Sequence, residues 1–423
     1  MGRKIAFLGI TFKFPAIISF IMVSCIECKG RYCDNFRLCP VYSKARVMFQ
    51  VKSLIAKQDF FGASPAPFVG HYGYPNVSVG ILTPPNVIND AWLYDAPNFW
   101  AAENYNIPEI VQFRSALVNS RFYANIRDLK KKYLNVSQEV AMASKPVEMQ
   151  VNLEGKPRFR LSMDPETIPQ GTSARLKKIK ITENPKISSK VERVVDDTDL
   201  KANEAVFYLY EKGFDENFLM RMLSVGTLGM KKDRRLVPTR WSITAIDDIL
   251  GKNLRSEIKD YSNYAGHLAF FGNYLGNNYL LLFFPEPWSY ELFESYVSKP
   301  GFSTDYENYY GRKNYAESTA GGYYTVRLAI LEKLAELKRQ GSCLALRFIT
   351  DEYSVPLGVW VTREATRKAL NSKPIEFSSM ELMLNYAKMK IKRMFNLDIS
   401  KFLEKSILLK NIKTQKKISS FIQ

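Results

Sequence analysis

Four of the five cysteines in this chain, Cys25, Cys28, Cys33 and Cys39, fall within fifteen consecutive positions, and the fifth, Cys343, stands alone. A packed core gains nothing from so tight a cluster. Four thiolates on a short segment can close a tetrahedral shell around zinc, and the metal then stands in for a core too small to build. The C-x2-C spacing of Cys25 and Cys28, with a second close pair after it, is ribbon-like. Two small disulfides or an iron–sulfur cluster are the rival readings, the latter because Cys39-Pro40 echoes some ferredoxin loops. No His or carboxylate is placed to keep a coordination position open, so the expected role of the zinc is structural.

A second set of residues could hold a nucleotide. Ser64, His71, Tyr74 and Asn76 lie in a stretch, Phe60 to Gly80, too dense in glycine and proline for a helix and too aromatic for a solvated linker. Its glycines let backbone approach a ligand closely, and N–H groups between Gly70 and Gly73 could face phosphate. Much later, Arg240, Trp241, Asp247 and Asp248 offer a cation, a stacking face and two carboxylates. Arginine suits phosphate, an aromatic face suits a base, and paired carboxylates suit Mg²⁺. Ser64, His71, Tyr74, Asn76, Arg240 and Asp247 are therefore the candidates for a pocket that takes a nucleotide or a DNA end. Thr319-Ala-Gly-Gly-Tyr-Tyr324 would add a second phosphate-approaching loop, and reads equally well as a turn before a helix. Each residue also has a plainer reading. His71 and His267, the two histidines, suit satisfied structural roles, and Asp247 and Asp248 suit a helix-start charge pair beside a buried Trp241. Neither G-x-x-x-x-G-K-[ST] nor G-x-G-x-x-G occurs, and no catalytic motif is recognisable.

The C-terminus carries a third pattern. Gln415, Ile418, Phe421 and Ile422 follow the Q-x-x-aliphatic-x-x-aromatic spacing of peptides that bind the sliding clamp PCNA. A single 3₁₀ turn puts Ile418 and Phe421 on one side, and the flanking lysines favour an acidic rim. Ile422 occupies the second aromatic position and should weaken the plug. The plainer reading is a frayed end whose apolar residues cover the preceding helix.

Composition bounds the partners. The 423 residues suffice for two or three domains, and a net charge of +18 favours polyanions, nucleic acid or an acidic surface. A Lys-rich proteome would give the same excess. Much of it sits in Arg175, Lys177, Lys178, Lys180, Lys186, Lys190 and Arg193, and in the tail from Lys401 to Lys417. Cysteine is scarce outside the cluster, as in a reducing cytoplasm. At the other end, Arg3 and Lys4 precede an apolar run, Ile5 to Val23, that mimics a signal peptide, and Val23-Ser24-Cys25 resembles a lipoprotein cleavage box. Lys13 and Pro15 interrupt the run, so no spanning helix and no membrane partner are expected. Met22 reads better as the true start, with residues 1–21 a spurious or disordered leader.

The body alternates helices and strands without a strict βαβ rhythm, which gives an α+β class with mixed sheets, C-terminal helices and a flexible tail. The patterns predict a helix from Ser43 to about Lys57 and mostly helix over 108–143. A half-exposed hairpin is expected from Met149 to Met163, then helices Asp199–Gly213 and Asp215–Gly226, and a short helix ending at Gly251. His267–Phe271 and Tyr279–Phe284 should be paired central strands, and 285–322 a surface excursion. A helix Val326–Lys338, strands Leu344–Ile349 and Leu357–Val361, and a helix capped by Thr362 follow. Ser378-Ser-Met-Glu381 has capping-box spacing before a basic helix, and a last helix runs to about Lys410.

Taken together, the cysteine cluster, the stretch Phe61 to Val77, the segment Leu236-Val-Pro-Thr-Arg-Trp-Ser-Ile-Thr-Ala-Ile-Asp-Asp248 and the tail resemble the archaeal Nre DNA-repair family (NreA/NreB). The resemblance runs from Met22 to the C-terminus in the family's order. It implies a cytoplasmic DNA-repair factor that binds DNA and is recruited by PCNA, with Gln415, Ile418, Phe421 and Ile422 as the clamp-binding positions. Ile422 departs from the usual aromatic, which bears on affinity rather than partner. The implied division is a leader at 1–21, a small four-cysteine zinc module at 22–42, family N- and C-terminal domains at 43–295 and 296–410, and a clamp-binding tail at 411–423. The resemblance supplies no settled reaction. A nucleotide- or nucleic-acid-acting enzyme built around His71 and Arg240 is the alternative, and an envelope lipoprotein with Cys25 as its first residue is a third reading.

Overall fold

The computed structural model describes residues 40–54, 58–157, 171–299 and 301–414. The cysteine quartet, the leader and the clamp-binding positions Gln415, Ile418, Phe421 and Ile422 lie outside the described residues, whereas 411–414 of the expected tail belong to the last helix. After helix α1 (Pro40–Leu54), strands β1 (Asp59–Ser64), β2 (Ala66–Val69) and β3 (Asn76–Thr83) account for the glycine–aromatic stretch. Helices α2 (Pro97–Ala102) and α3 (Ile107–Ala116), strand β4 (Val118–Asn125), helix α4 (Lys132–Met142) and strands β5 (Val147–Leu153) and β6 (Ser173–Ile181) follow. Then come helices α5 (Ser189–Asp196), α6 (Ala202–Glu211), α7 (Glu216–Ser224) and α8 (Thr239–Ile258). Strands β7 (His267–Tyr274), β8 (Asn277–Phe284), β9 (Tyr290–Tyr296) and β10 (Ser303–Glu307) lead to helix α9 (Ala320–Glu336) and strand β11 (Ser342–Ile349). Helix α10 (Trp360–Leu370), strand β12 (Ile375–Phe377) and helices α11 (Met380–Phe395), α12 (Ser400–Lys405) and α13 (Ile407–Thr414) complete the α+β architecture.

Two six-stranded mixed sheets organise these elements. The first has the order β1-β5-β6-β4-β3-β2. β1 and β2 are halves of one extended segment broken at Pro65, so a single segment supplies both edges and the sheet curls toward barrel closure. Ser64 Oγ donates to the Leu82 carbonyl at 2.8 Å across that corner. Alternation along β5 and β3 points Val147, Met149, Val151, Val77, Val79 and Ile81 into the interior. The second sheet, β10-β9-β11-β8-β7-β12, is covered on both faces. One face packs on α8, α9 and α10 through Leu281, Phe283, Leu292 and Ala345. The other packs on α11, α12 and α13 through Leu280, Phe293, Leu346 and Phe348. Burial on both sides explains why β8 and β11 are continuous apolar runs. The expected boundary between 295 and 296 falls among the strands of this one sheet.

Several expectations change. β4 runs through the segment expected to be mostly helical: Val118, Ser120, Phe122 and Ala124 alternate inward, a period that helix-forming neighbours mask. Both edges of β5 are taken, by β1 and β6, whereas residues 158–163, its expected hairpin partner, lie outside the described residues. The helix expected from Asp199 starts at Ala202, because Asp197 instead accepts from the N–H groups of Asp199 and Leu200. Gly251 does not stop α8, which runs on for two turns; its missing side chain makes room for the Arg327 guanidinium. Residues 285–322 are no excursion, since β9 and β10 join the sheet and Trp288 and Tyr290 are buried. Leu357 to Val361 forms no strand: the chain turns into α10 there, so Thr362 sits inside the first turn rather than capping it. Ser379, not Ser378, caps α11, accepting from Leu382 N–H. α7 is capped by Asp215 as expected, at 2.7 Å from Phe218 N–H. β7 and β8 pair through a tight turn at Leu275 and Gly276, both with positive φ.

Candidate functional site

A cavity of about 920 Å³ opens where the first sheet meets the helices covering the second. β2 forms one wall with Pro67, Phe68 and Val69. Its position is fixed by Val69 N–H, which donates to Thr239 Oγ1 at 2.9 Å, and that hydroxyl lies 3.2 Å from Ser224 Oγ. The opposite side is built from chain turning into helix. The first residues of α8 (Thr239, Arg240, Trp241), α9 (Ala320, Gly321, Gly322) and α10 (Trp360) all line the cavity. None of these three helices has a side-chain cap. Their first-turn N–H groups and aligned peptide dipoles therefore make this side electropositive.

Close approach requires the glycines at the start of α9. A Cβ on Gly321 would meet Val359 at 2.8 Å, and one on Gly322 would meet a Glu294 carboxylate oxygen at 2.8 Å. Ala320 takes a positive φ of 42° to make the turn. Asp305 holds that turn by accepting from Thr319 N–H at 2.7 Å and Thr319 Oγ1 at 2.9 Å.

Charged side chains cluster around the cavity. Arg114, Arg240, Arg347 and Arg363 line it together with Asp95 and Asp248, and His71 lies among them. Arg114 pairs with Asp95, and Arg347 bridges Asn277 and Glu294. Arg363 is fully buried, 2.9 Å from Glu216 and 2.6 Å from Asp247. Burial alone would raise both carboxyls. Glu216 is nevertheless held down to about 2, because Arg363 and Arg367 both serve it. Asp247, with Arg363 as its one guanidinium partner and Glu216 close by, is pushed by burial up to about 7.

The residues singled out in the sequence part company here. His71 and Arg240 do line one cavity, although 169 positions separate them. Tyr74 packs on cavity-lining Trp241 with ring centroids 5.4 Å apart. Ser64 is buried in the sheet corner, and Asn76 accepts from the Asn125 amide at 3.1 Å at the start of β3. Asp247 faces Arg363 from behind the wall, while Asp248 points elsewhere, to Arg327 at 2.7 Å and Lys252 at 2.6 Å. These two carboxylates diverge, each toward cations. Arg114, Arg347, Arg363 and Glu216 were not singled out in the sequence; Arg347 inside the otherwise apolar run of β11 was the available hint. Outside the cavity, β6 carries Arg175, Lys177, Lys178 and Lys180, all exposed.

Among the described residues, no group of three or more His, Cys, Asp or Glu side chains is arranged to hold a metal ion. Nor, among them, is any helix long and apolar enough to cross a membrane. Residues 33–303 match the N-terminal region of the archaeal Nre family, and residues 307–421 match its C-terminal region. The chain belongs to the archaeal Nre family. This Nre chain is 36% identical over 397 residues to a protein of Archaeoglobus fulgidus named DNA repair protein NreB, covering 92% of this chain and 97% of that one. It is 37% identical over 329 residues to DNA repair protein NreA of Haloferax volcanii, covering 74% and 78% of the two chains. It is also 36% identical over 380 residues to DNA repair protein NreA of Archaeoglobus fulgidus, covering 88% and 94%. No solved structure matches this Nre chain.

Proposed function

We propose that this Nre protein acts in DNA repair and that its cavity receives the phosphate of a nucleotide unit or DNA end. The names of its relatives support the first half. The observation that carries the second is the convergence of three helix starts without side-chain caps, Arg240 among their first residues, on one cavity. N-terminal helix turns favour anions, and the starts of α8, α9 and α10 all reach this cavity. Arg240, exposed at the start of α8, adds a charge-assisted donor. The lysines of β6 supply sequence-independent backbone attraction.

The termini complete the reading. Gln415, Ile418, Phe421 and Ile422 tether the protein to the sliding clamp PCNA, and the tether raises its effective concentration at replicating or damaged DNA without further contacts. Cys25, Cys28, Cys33 and Cys39 hold a structural zinc, which belongs with a reducing cytoplasm. The family N-terminal domain, the C-terminal domain and the tail then serve DNA contact, support of the cavity and localisation.

Fluorescence anisotropy with labelled DNA at several salt concentrations tests the DNA contacts. Arg240→Ala should weaken binding by about tenfold, the scale of one lost charge-assisted bond. Lys178→Ala and Lys180→Ala should each lower the salt slope by about one. Wild-type affinity in Arg240→Ala, together with an unchanged slope in both lysine variants, refutes the assignment.

A further inference from the structure

Four exposed aromatic rings stand at the rim of the cavity. Trp241, 46% exposed, and Tyr315, 51% exposed, line it directly. Tyr74, 49% exposed, packs on Trp241 with the two planes at 57°. Tyr72, 76% exposed, has its ring 4.0 Å from that of His71, which also lines the cavity. Large aromatic faces left in water forgo the stabilisation that burial gives, and a group of them around one cavity marks a binding surface.

The chemistry of rim and interior differs. Inside are helix starts, glycine backbone and arginines, which suit an anion; at the edge are π-faces, which suit a flat heteroaromatic ring. A nucleotide carries both features a fixed distance apart. Trp241 and Arg240 are neighbours at the start of α8, so phosphate and base would be met by consecutive residues of one rigid element. A base inside intact duplex already has both faces covered by its neighbours. A base with a free face is unpaired or terminal.

We propose that this rim stacks an unpaired nucleobase, so that the cavity selects single-stranded or frayed DNA ends over intact duplex. This deepens the phosphate-binding reading of the same cavity and rests on it. Tyr74 and Trp241 are the stacking pair, and Tyr72 and Tyr315 extend the surface along the strand.

The test uses the full chain with a labelled single strand and a blunt duplex of the same sequence. Wild-type protein should prefer the single strand. The double variant Tyr74→Ala/Trp241→Ala should lose about 5- to 100-fold in single-strand affinity, the range measured for aromatic–base stacking, with duplex affinity unchanged. Trp241→Phe, which keeps a π-face, should retain most of the binding, and the half-exposed side chains should leave the unfolding midpoint unmoved. Quenching of Trp241 fluorescence by the single strand, measured against Trp241→Phe, should accompany binding. Equal wild-type affinity for both DNAs, or undiminished single-strand binding by the double variant, overturns the proposal. If Arg240→Ala still weakens both DNAs in that case, the phosphate reading survives alone. If wild-type protein binds neither DNA, the phosphate reading falls as well.

Discussion

The buried pair of carboxylates behind the cavity predicts a specific pH dependence. Asp247 Oδ1 accepts from Arg363 at 2.6 Å, and Oδ2 has no hydrogen-bond partner. Arg363 also serves Glu216, which has Arg367 in addition, so charge resides on Glu216 and the proton on Asp247. Burial carries Asp247 from its ordinary 3.8 to about 7. From pH 4 to 7 the unfolded chain has released this proton and the folded chain has not. Stability therefore falls as pH rises through that window and levels off above 7. The full displacement is worth about 4 kcal/mol, and the part lost between pH 5 and 8 about 2–3 kcal/mol. Asp247→Asn keeps the size and stays neutral at every pH, so it removes this slope. Urea unfolding of wild type and variant at pH 5 and pH 8 isolates the group, because all other titrations cancel in the difference. The variant should gain about 2–3 kcal/mol on wild type between the two conditions. A difference that is the same at both pH values, to within about 0.5 kcal/mol, would falsify the assignment of the proton to Asp247.

Three further outcomes follow from other parts of the molecule. Gly272→Ala on β7 drives a methyl to 2.6 Å from the Ala369 Cα of α10, so it should destabilise the fold by about 1–3 kcal/mol in the same unfolding assay. Phe421→Ala should abolish capture of the chain by immobilised PCNA, while DNA affinity off the clamp stays at the wild-type value; unchanged capture removes the tether. Purified protein should carry about one zinc per chain by elemental analysis and Cys28→Ser should lose it, whereas a brown chromophore with iron would replace zinc by an iron–sulfur cluster.

The second sheet was legible where burial writes itself as an unbroken apolar run. Tyr279–Phe284 and Leu344–Ile349 lie between two helix layers, so neither strand alternates. The same rule misled at Leu357–Val361, where Leu357, Trp360 and Val361 bury apolar side chains while the backbone turns into α10. Tyr-, Pro- and Gly-rich chain over 285–322 looked solvated, but Trp288 and Tyr290 pack under α9, a partner thirty residues away in sequence. In the first sheet, Pro65 splits one extended segment into strands at opposite edges, and local pattern carries no trace of such closure. His71 and Arg240 stood out because glycine–aromatic chain and an Arg-Trp pair are uncommon in ordinary core. The Glu216, Asp247 and Arg363 triad was hidden because its members come from three helices. Each reads alone as a charge on an amphipathic face.

Phosphate is proposed to bind over the start of α9. A structure of the full chain bound to a short single-stranded oligonucleotide tests it most directly. The expected result is a phosphate oxygen within hydrogen-bond distance of the Gly321 or Gly322 N–H group, with Arg240 turned toward it. Oligonucleotide bound elsewhere on the surface, with that helix start touching no phosphate, would contradict it.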